Sequence, residues 1–327
     1  MIHVNDHVIS LDRKEKKSTL DFISHAHSDH ISSAKSSKNV IASDETVQLL
    51  EAVQGIKVAK SEKQIKGIKL LDAGHILGSK QIYANDECSG KRIAYTGDFQ
   101  MQDSRACARI KIEDADVAIV DSTYTDPEVQ FDDRAETESA MQIWTERRLM
   151  DGIVLFGSYA LGKAQELITI MNETQIVPVV SEKISIASRV YKKNGVELDY
   201  ASTYDDLEDY RQIVRGNFVG IVEMHNFDMV RAELAARYNK PVYTAVATGW
   251  AKVMSFGTDV QFPLSDHADF HQATEYIDAT GAKEVFTYGA NAKDLAENLK
   301  HRGYSAAPFT KGGRMVCDRI SCAIQTV

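Results

Sequence analysis

The sequence has no apolar run long enough to span a bilayer; its longest, such as IVLF and IVPVV, fall far short of the roughly 20 residues required. Membrane insertion is therefore not expected. The amino end, MIHVNDHVISLDRKEKK, lacks the apolar stretch of a secretory signal, so export is not expected and the cytoplasm is the expected compartment. The four cysteines, Cys88, Cys107, Cys317 and Cys322, are scattered without a C-x-x-C pair, which argues against a disulfide frame or a cysteine zinc site and for reduced thiols. Positive charge is outnumbered by negative. A net charge of −9 leaves no broad basic surface to bind nucleic acid by charge alone, so any such ligand must be gripped locally, by metals and a few lysines or arginines. No fixed-period repeat or low-complexity tract is present. What remains is a globular composition, 43% apolar and 26% charged over 327 residues, a length that suits one large domain or two smaller ones.

The first third reads as short strands broken by polar turns: HVISLD, TLDFISH, KNVIAS, GIKLLDAGH, KQIYAND, KRIAYTGDF and DVAIVDSTY. From about 132 to 150 the pattern becomes helical, with acidic residues in the first turn, basic ones near the last, and Gly152 just beyond. A new unit is expected there. Strand-like runs (GIVLFGS, TQIVPVVS, NFVGIVEM, KPVYTAVAT) then alternate with helical ones (LGKAQELITIMN, SIASRVYKKNG, DMVRAELAARYN), which predicts parallel strands joined by helical crossovers. After Trp250 come VQFPLSDHADF, a helix through HQATEYIDATGA, and a strand EVFTYGA.

Chemistry concentrates in FISHAHSDH. Three imidazoles and a carboxylate, His25, His27, Asp29 and His30, fall within six residues where a strand should hand over to a loop. Alternate residues of an extended segment share a face, so His25 and His27 can reach one ion while Asp29 and His30 turn toward a neighbouring point. Neutral nitrogen with hard oxygen suits zinc and, less selectively, manganese, iron or cobalt. The plainer reading is a polar turn with satisfied surface histidines. His75 follows a strand between Gly74 and Gly78, which permit tight backbone near a ligand, and Asp98 closes IAYTGD. Each alone would pass for a turn residue or cap.

In this order the residues resemble the metal-binding motifs of the metallo-β-lactamase superfamily: His25-x-His27-x-Asp29-His30, then His75, then Asp98. Asp12 resembles the family's first aspartate, which supports the metal loop without binding metal. VDSTY with Asp121, FGSYALGKAQEL with Ser158, Gly162 and Lys163, and PLSDHADF with His267 are similar to motifs of the β-CASP nucleases, which cut DNA or RNA. The resemblance implies an α/β fold, a metallo-β-lactamase αββα sandwich over 1–124 and 247–327 with an inserted β-CASP cap domain over 125–246. It also implies one or two zinc ions, with manganese as the substitute. His25, His27, His75 and Asp98 would hold the first ion, and Asp29, His30 and a bridging Asp98 the second.

By the same resemblance His267 would protonate the leaving group or clamp the scissile phosphate, with Asp121 orienting it and Asp29 also in the reacting site. Ser158 and Lys163 would meet the substrate; Lys163, near an expected helix start, could reach a backbone phosphate or equally be an exposed lysine with no partner. One position departs from the pattern. RNA-cutting members end a strand in His-Gly where this chain has Tyr288 in FTYGA, so the second ion should be held more weakly. Artemis-like DNA nucleases share that lack, and their Thr-Gly-Trp resembles ATGWAK with Gly249 and Trp250, although this could equally be a turn and a core tryptophan. These two features lean toward DNA over RNA. A small-ester or lactam hydrolase on the same fold, and a metal-poor scaffold subunit binding nucleic acid or a partner nuclease, are the competing readings.

Overall fold

A computed structural model describes residues 1–61, 65–202 and 207–309. The chain opens with strands β1 (Ile2–Val4), β2 (His7–Leu11), β3 (Leu20–Phe22) and β4 (Val40–Ile41), in that order in a four-stranded sheet. Helix α1 (Asp44–Gln54) follows, started by Ser43, whose hydroxyl accepts from the Thr46 amide, and ended at left-handed Gly55. Next come β5 (Ile68–Asp72), β6 (Lys80–Asp86), β7 (Lys91–Tyr95) and β8 (Val117–Asp121).

An inserted stretch then runs through α2 (Arg134–Leu149), β9 (Ile153–Ser158), α3 (Lys163–Glu173), β10 (Val179–Val180), α4 (Glu182–Lys193), β11 (Ala201–Ser202), α5 (Leu207–Ile213), β12 (Val219–Glu223), α6 (Phe227–Tyr238), β13 (Val242–Ala247) and β14 (Val260–Phe262). The chain finishes, among the described residues, with α7 (Phe270–Thr280), β15 (Glu284–Tyr288), α8 (Ala292–His301) and β16 (Ser305–Pro308).

Two compact units result. Among the described residues, the first comprises 1–103, 107–130 and 267–309; the second comprises 104–106 and 131–266. In the first, β1 to β4 face a six-stranded sheet ordered β16-β15-β8-β7-β6-β5 across one core. Ile2, Val4, Ile9, Phe22 and their neighbours on one sheet meet Ile82, Ile93, Val117, Ile119 and Phe286 on the other. The opposite face of the larger sheet, with Ala118, Val120 and Val285, is covered by Tyr276 and Ile277 of α7 and Leu295 and Leu299 of α8. Alternation along β8 thus serves two layers, which explains why VAIVD is apolar at successive positions. The fold is the α/β arrangement expected from the motifs.

One directional fact governs the site. β5 is antiparallel to β6 and β6 to β7, while β7, β8 and β15 are parallel. Hence β5, β7, β8 and β15 all run the same way and end on one edge of the sheet, where loops of parallel strands collect functional groups.

In the second unit all six strands are parallel, ordered β11-β10-β12-β9-β13-β14, as the alternation of strand and helix predicts. β9 lies in the interior and is buried throughout, consistent with its unbroken apolar run. The run TQIVPVVS yields only Val179–Val180 as strand, because Pro178 lacks an amide hydrogen and constrains the residue before it. ATGWAK forms a short 3₁₀ turn over Gly249–Lys252, begun by the Thr248 hydroxyl accepting from the Trp250 amide; Trp250 is half-buried. Cys88 is exposed and Cys107 half-buried; Cys317 and Cys322 lie outside the described residues. No helix among the described residues is long and apolar enough to cross a membrane.

Candidate metal centre

The loop after β3 carries His25, His27, Asp29 and His30, and a buried carboxylate folds it. Asp12 sits at φ 56°, a strained conformation for a residue with a Cβ, and is 3% exposed. Its side chain repays the strain by accepting from the Ser24 amide at 2.6 Å, the Ser24 hydroxyl at 2.7 Å, the Tyr95 hydroxyl at 2.7 Å and His30 Nδ1 at 2.8 Å. His25 is fixed in turn by Ser24 Oγ, 2.9 Å from its Nδ1. With the distal nitrogens tied back to oxygen, the Nε2 atoms of His25 and His30 face Asp98 Oδ2 at 3.5 and 3.3 Å.

His75 stands three residues past β5 and Asp98 three residues past β7, both on the edge just described. Each is preceded by a glycine that the packing requires. A Cβ on Gly74 would sit 2.5 Å from the Gln100 carbonyl, and one on Gly97 2.6 Å from Ser24 Cβ; both have positive φ. His75 Nε2 reaches 3.0 Å from His27 Nδ1 and 3.8 Å from Asp98 Oδ2. Ring centroids of His25, His27 and His75 are 4.7–4.9 Å apart.

Among the described residues, ligand atoms of His25, His27, His75 and Asp98 all lie within 4.8 Å of one another, as do those of Asp98, Asp121 and His267. Asp29 and His30 belong to neither group. Asp29 is largely exposed, with Oδ2 3.4 Å from His30 Nε2.

The electrostatics fit a cation. His25 Nε2 is fully buried and makes no hydrogen bond to the described residues, a cost that ligation would remove. Burial, with His30 adding to it, holds the His25 imidazole well below its ordinary value, so its nitrogen is a neutral donor. For His30 burial acts in the same direction, but Asp98 and Asp12 outweigh it and carry the imidazole well above. Burial would raise Asp98, yet His30 and His267 pull it well below the carboxylate range. The hydrogen bond from His30 likewise brings Asp29 down to about 2. Imidazole nitrogens around a persistent carboxylate are a suitable donor set for a divalent ion.

His267 lies two residues before the capping box of α7, in which Asp269 and Gln272 satisfy each other's amides. Its carbonyl accepts from Gln100 Nε2 at 3.0 Å, and its Nδ1 lies 2.9 Å from Asp121 Oδ2. Asp121, 2% exposed at the end of β8, is held by the Thr123 amide at 3.0 Å and hydroxyl at 2.8 Å. Burial and the charge of Asp98 raise its carboxyl, while His267 opposes them. With Nδ1 engaged, His267 Nε2 faces Asp98 at 4.0 Å. Tyr288 ends β15 beside Asp121; its ring packs on Tyr95 at 5.1 Å, and burial, then Asp121 and Asp98, raise its hydroxyl well above the ordinary value.

Ser158 and Lys163 belong to the second unit. Ser158 is 2% exposed at the end of β9 and donates to the Tyr159 carbonyl at 3.0 Å. Lys163 is 3% exposed, its Nζ 2.5 Å from Glu166 Oε2 and 2.6 Å from Asp266 Oδ1. Nothing in the local sequence singles out Asp266 or Arg134, which shares those carboxylates.

No family model matches the chain. A probable DNA ligase of Opitutus terrae is 28% identical over 87% of the chain and 28% of its own length, and an RNase J-like protein of Methanocaldococcus jannaschii is 36% identical over 32% of the chain and 25% of its own. The chain thus spans about a quarter of the length of these relatives. A crystal structure of a protein of unknown function from Enterococcus faecalis V583 matches 91% of the chain and 81% of its own, with a TM-score of 0.58 at 12% identity, a likeness of fold. The ordered histidine and aspartate motifs, the paired sheets that bring them to one edge, and the similarity to an RNase J-like protein support a place for the chain in the metallo-β-lactamase superfamily, in its β-CASP subgroup.

Proposed function

We propose that the chain is a metal-dependent nuclease that hydrolyses phosphodiester bonds in nucleic acid, with RNA as the favoured substrate. The reading is carried by the convergence of His25, His27, His75 and Asp98 within 4.8 Å, beside a His267–Asp121 pair. The resident ion is proposed to be zinc, with manganese as substitute, since imidazole and carboxylate donors suit both. His25, His27, His75 and Asp98 would hold the first ion; Asp29, His30 and Asp98 would hold a second, weaker one. A bound divalent ion supplies Lewis acidity, lowering the pKa of water from 15.7 to about 7 and offsetting phosphoryl charge.

The protein's own groups do the rest. Asp12 and Ser24 fix the ring orientations of His30 and His25. Asp121 holds the Nδ1 proton of His267, so that Nε2 can deliver a proton to the departing oxygen. The β-CASP cap expected over 125–246 is proposed to correspond to the second compact unit, which runs from 131 to 266, and the metallo-β-lactamase domain expected over 1–124 and 247–327 to the first. The scattered cysteines, without a C-x-x-C pair, support a reducing, cytoplasmic setting.

Similarity to an RNase J-like protein supports RNA, the second of the two substrates weighed from the sequence. The ligase-named relative, matched over 87% of the chain, supports DNA as the second reading. The deciding experiment incubates zinc-loaded protein with end-labelled single-stranded RNA and DNA of one sequence, each with and without a 5′-phosphate and with and without chelator. Chelator-sensitive cleavage of RNA ahead of DNA is expected. Faster cleavage of DNA selects the second reading, and metal-loaded protein that cuts neither strand ends the nuclease proposal.

A further inference from the structure

Outside the metal centre, the second unit buries a separate group of charges. Lys163 opens α3 and Arg134 opens α2, and both converge on residues 265 and 266. Lys163 Nζ donates to Asp266 Oδ1 at 2.6 Å and to Glu166 Oε2 at 2.5 Å. Arg134 Nη1 donates to the Ser265 main-chain oxygen at 3.0 Å; its Nη2 pairs with Glu166 and lies 3.8 Å from Asp266 Oδ1. Glu138, 5% exposed, stands 3.4 Å from Arg134 Nε and 2.8 Å from Arg105 Nε.

Three cations thus meet these three carboxylates, with Glu173 a further partner of Arg105, and no positive charge is left unpaired in the group. Buried ion pairs rarely outdo apolar packing for stability, but they do fix geometry, because each fork and carboxylate has few acceptable placements. Lys163 between two carboxylates is poorly suited to receive a phosphate, whose charge would face Glu166 and Asp266. What the two cations hold is a carbonyl and a carboxylate on consecutive residues, and the next residue is His267.

We propose that Lys163 and Arg134 are positioning residues for His267. They clamp Ser265 and Asp266 where the chain leaves the second unit, as Gln100 holds the His267 carbonyl and the Asp269 cap holds the chain beyond it. The imidazole is thereby fixed along its main chain from both directions, which matters because displacement of a reacting group by about 1 Å costs on the order of 10²-fold in rate. The proposal rests on the nuclease reading above.

The test uses the full zinc-loaded chain on whichever strand the wild type cuts. Lys163→Met with Asp266→Leu exchanges the ion pair for apolar groups, a change that buried pairs often tolerate. The expected result is a fall in kcat of roughly 10²-fold with KM changed by less than about twofold and unaltered metal content. In a His267→Ala background the same exchange costs nothing further, a reading that a general structural defect would not produce. A raised KM at unchanged kcat, or equal fractional losses with and without His267, overturns the proposal. If that pair does not fold, Arg134→Lys, which keeps the charge but not the fork spanning Ser265 and Glu166, is read by the same criteria. A metal-loaded wild type that cuts nothing removes the nuclease reading, and this proposal with it, before any variant is compared.

Discussion

Two groups of buried charged or ionisable side chains differ in one respect that separates their roles. In the first unit the donor atoms of His25, His27, His75 and Asp98 point at one another across gaps of 3.0–3.8 Å, with three imidazoles around one carboxylate and His25 Nε2 making no hydrogen bond to described residues. In the second unit Arg134, Lys163, Glu166 and Asp266 alternate in sign, so that each charge stands beside one of the opposite sign. Converging lone pairs repel until a cation joins them, whereas alternating charges need nothing added. Burial alone would not tell a ligand site from a clamp; the sign of the contacts does.

The comparison breaks most sharply at Asp98. Asp98→Ala should lose bound zinc by elemental analysis and lower cleavage at least ~10⁴-fold, since it removes charge neutralisation and water ionisation together. Retained metal with substantial activity would mean that the convergence is not the ion site. His267→Ala comes next: the metal stays, and the rate falls ~10²–10⁴-fold, the range for losing a general acid. Metal loss in that variant would place His267 among the ligands, as its proximity to Asp98 and Asp121 allows.

Asp12→Asn probes the shell that turns lone pairs inward and should weaken zinc affinity about 10–100-fold in competition with a chelator. Unchanged affinity would leave the strained Asp12 backbone without a purpose at the metal. The smallest effect belongs to a carboxylate in neither group. Burial would raise Asp86, but the Ser89, Asn5 and Cys88 donors hold it below the ordinary value. A depressed folded pKa contributes stability above the unfolded value, near 3.9, that is lost as pH falls through the folded one. Asp86→Asn should therefore lower unfolding free energy by about 1–2 kcal/mol at pH 7 and by less near pH 3, followed by thermal melts. A pH-independent deficit would show that charge is not involved.

Much of the centre is legible in FISHAHSDH, because contiguous residues carry their own geometry: a strand, then a loop whose alternate positions share a face. The alternating strand and helix signals after residue 150 are equally local. Other features were not legible. Helix α1 escaped the strand-rich reading of the first third, although Ser43 and Gly55 frame it, and Pro178 cut a predicted strand to two residues. Lys163 looked like a phosphate contact until its partners, three and 103 residues away, were in view.

By itself, then, the sequence determined which donors exist and which short segments bear them, since ligand type, strand period and glycine freedom are properties of neighbouring residues. Tertiary structure alone decided that β5, β7, β8 and β15 share a direction, which delivers His75, Asp98, Asp121 and Tyr288 to one edge. It also decided that Lys163 and Arg134 spend their charge on residues 265 and 266. Strand pairing and buried ion pairing join positions far apart in the chain, and their energies depend on burial and mutual distance, quantities that no local stretch of residues contains.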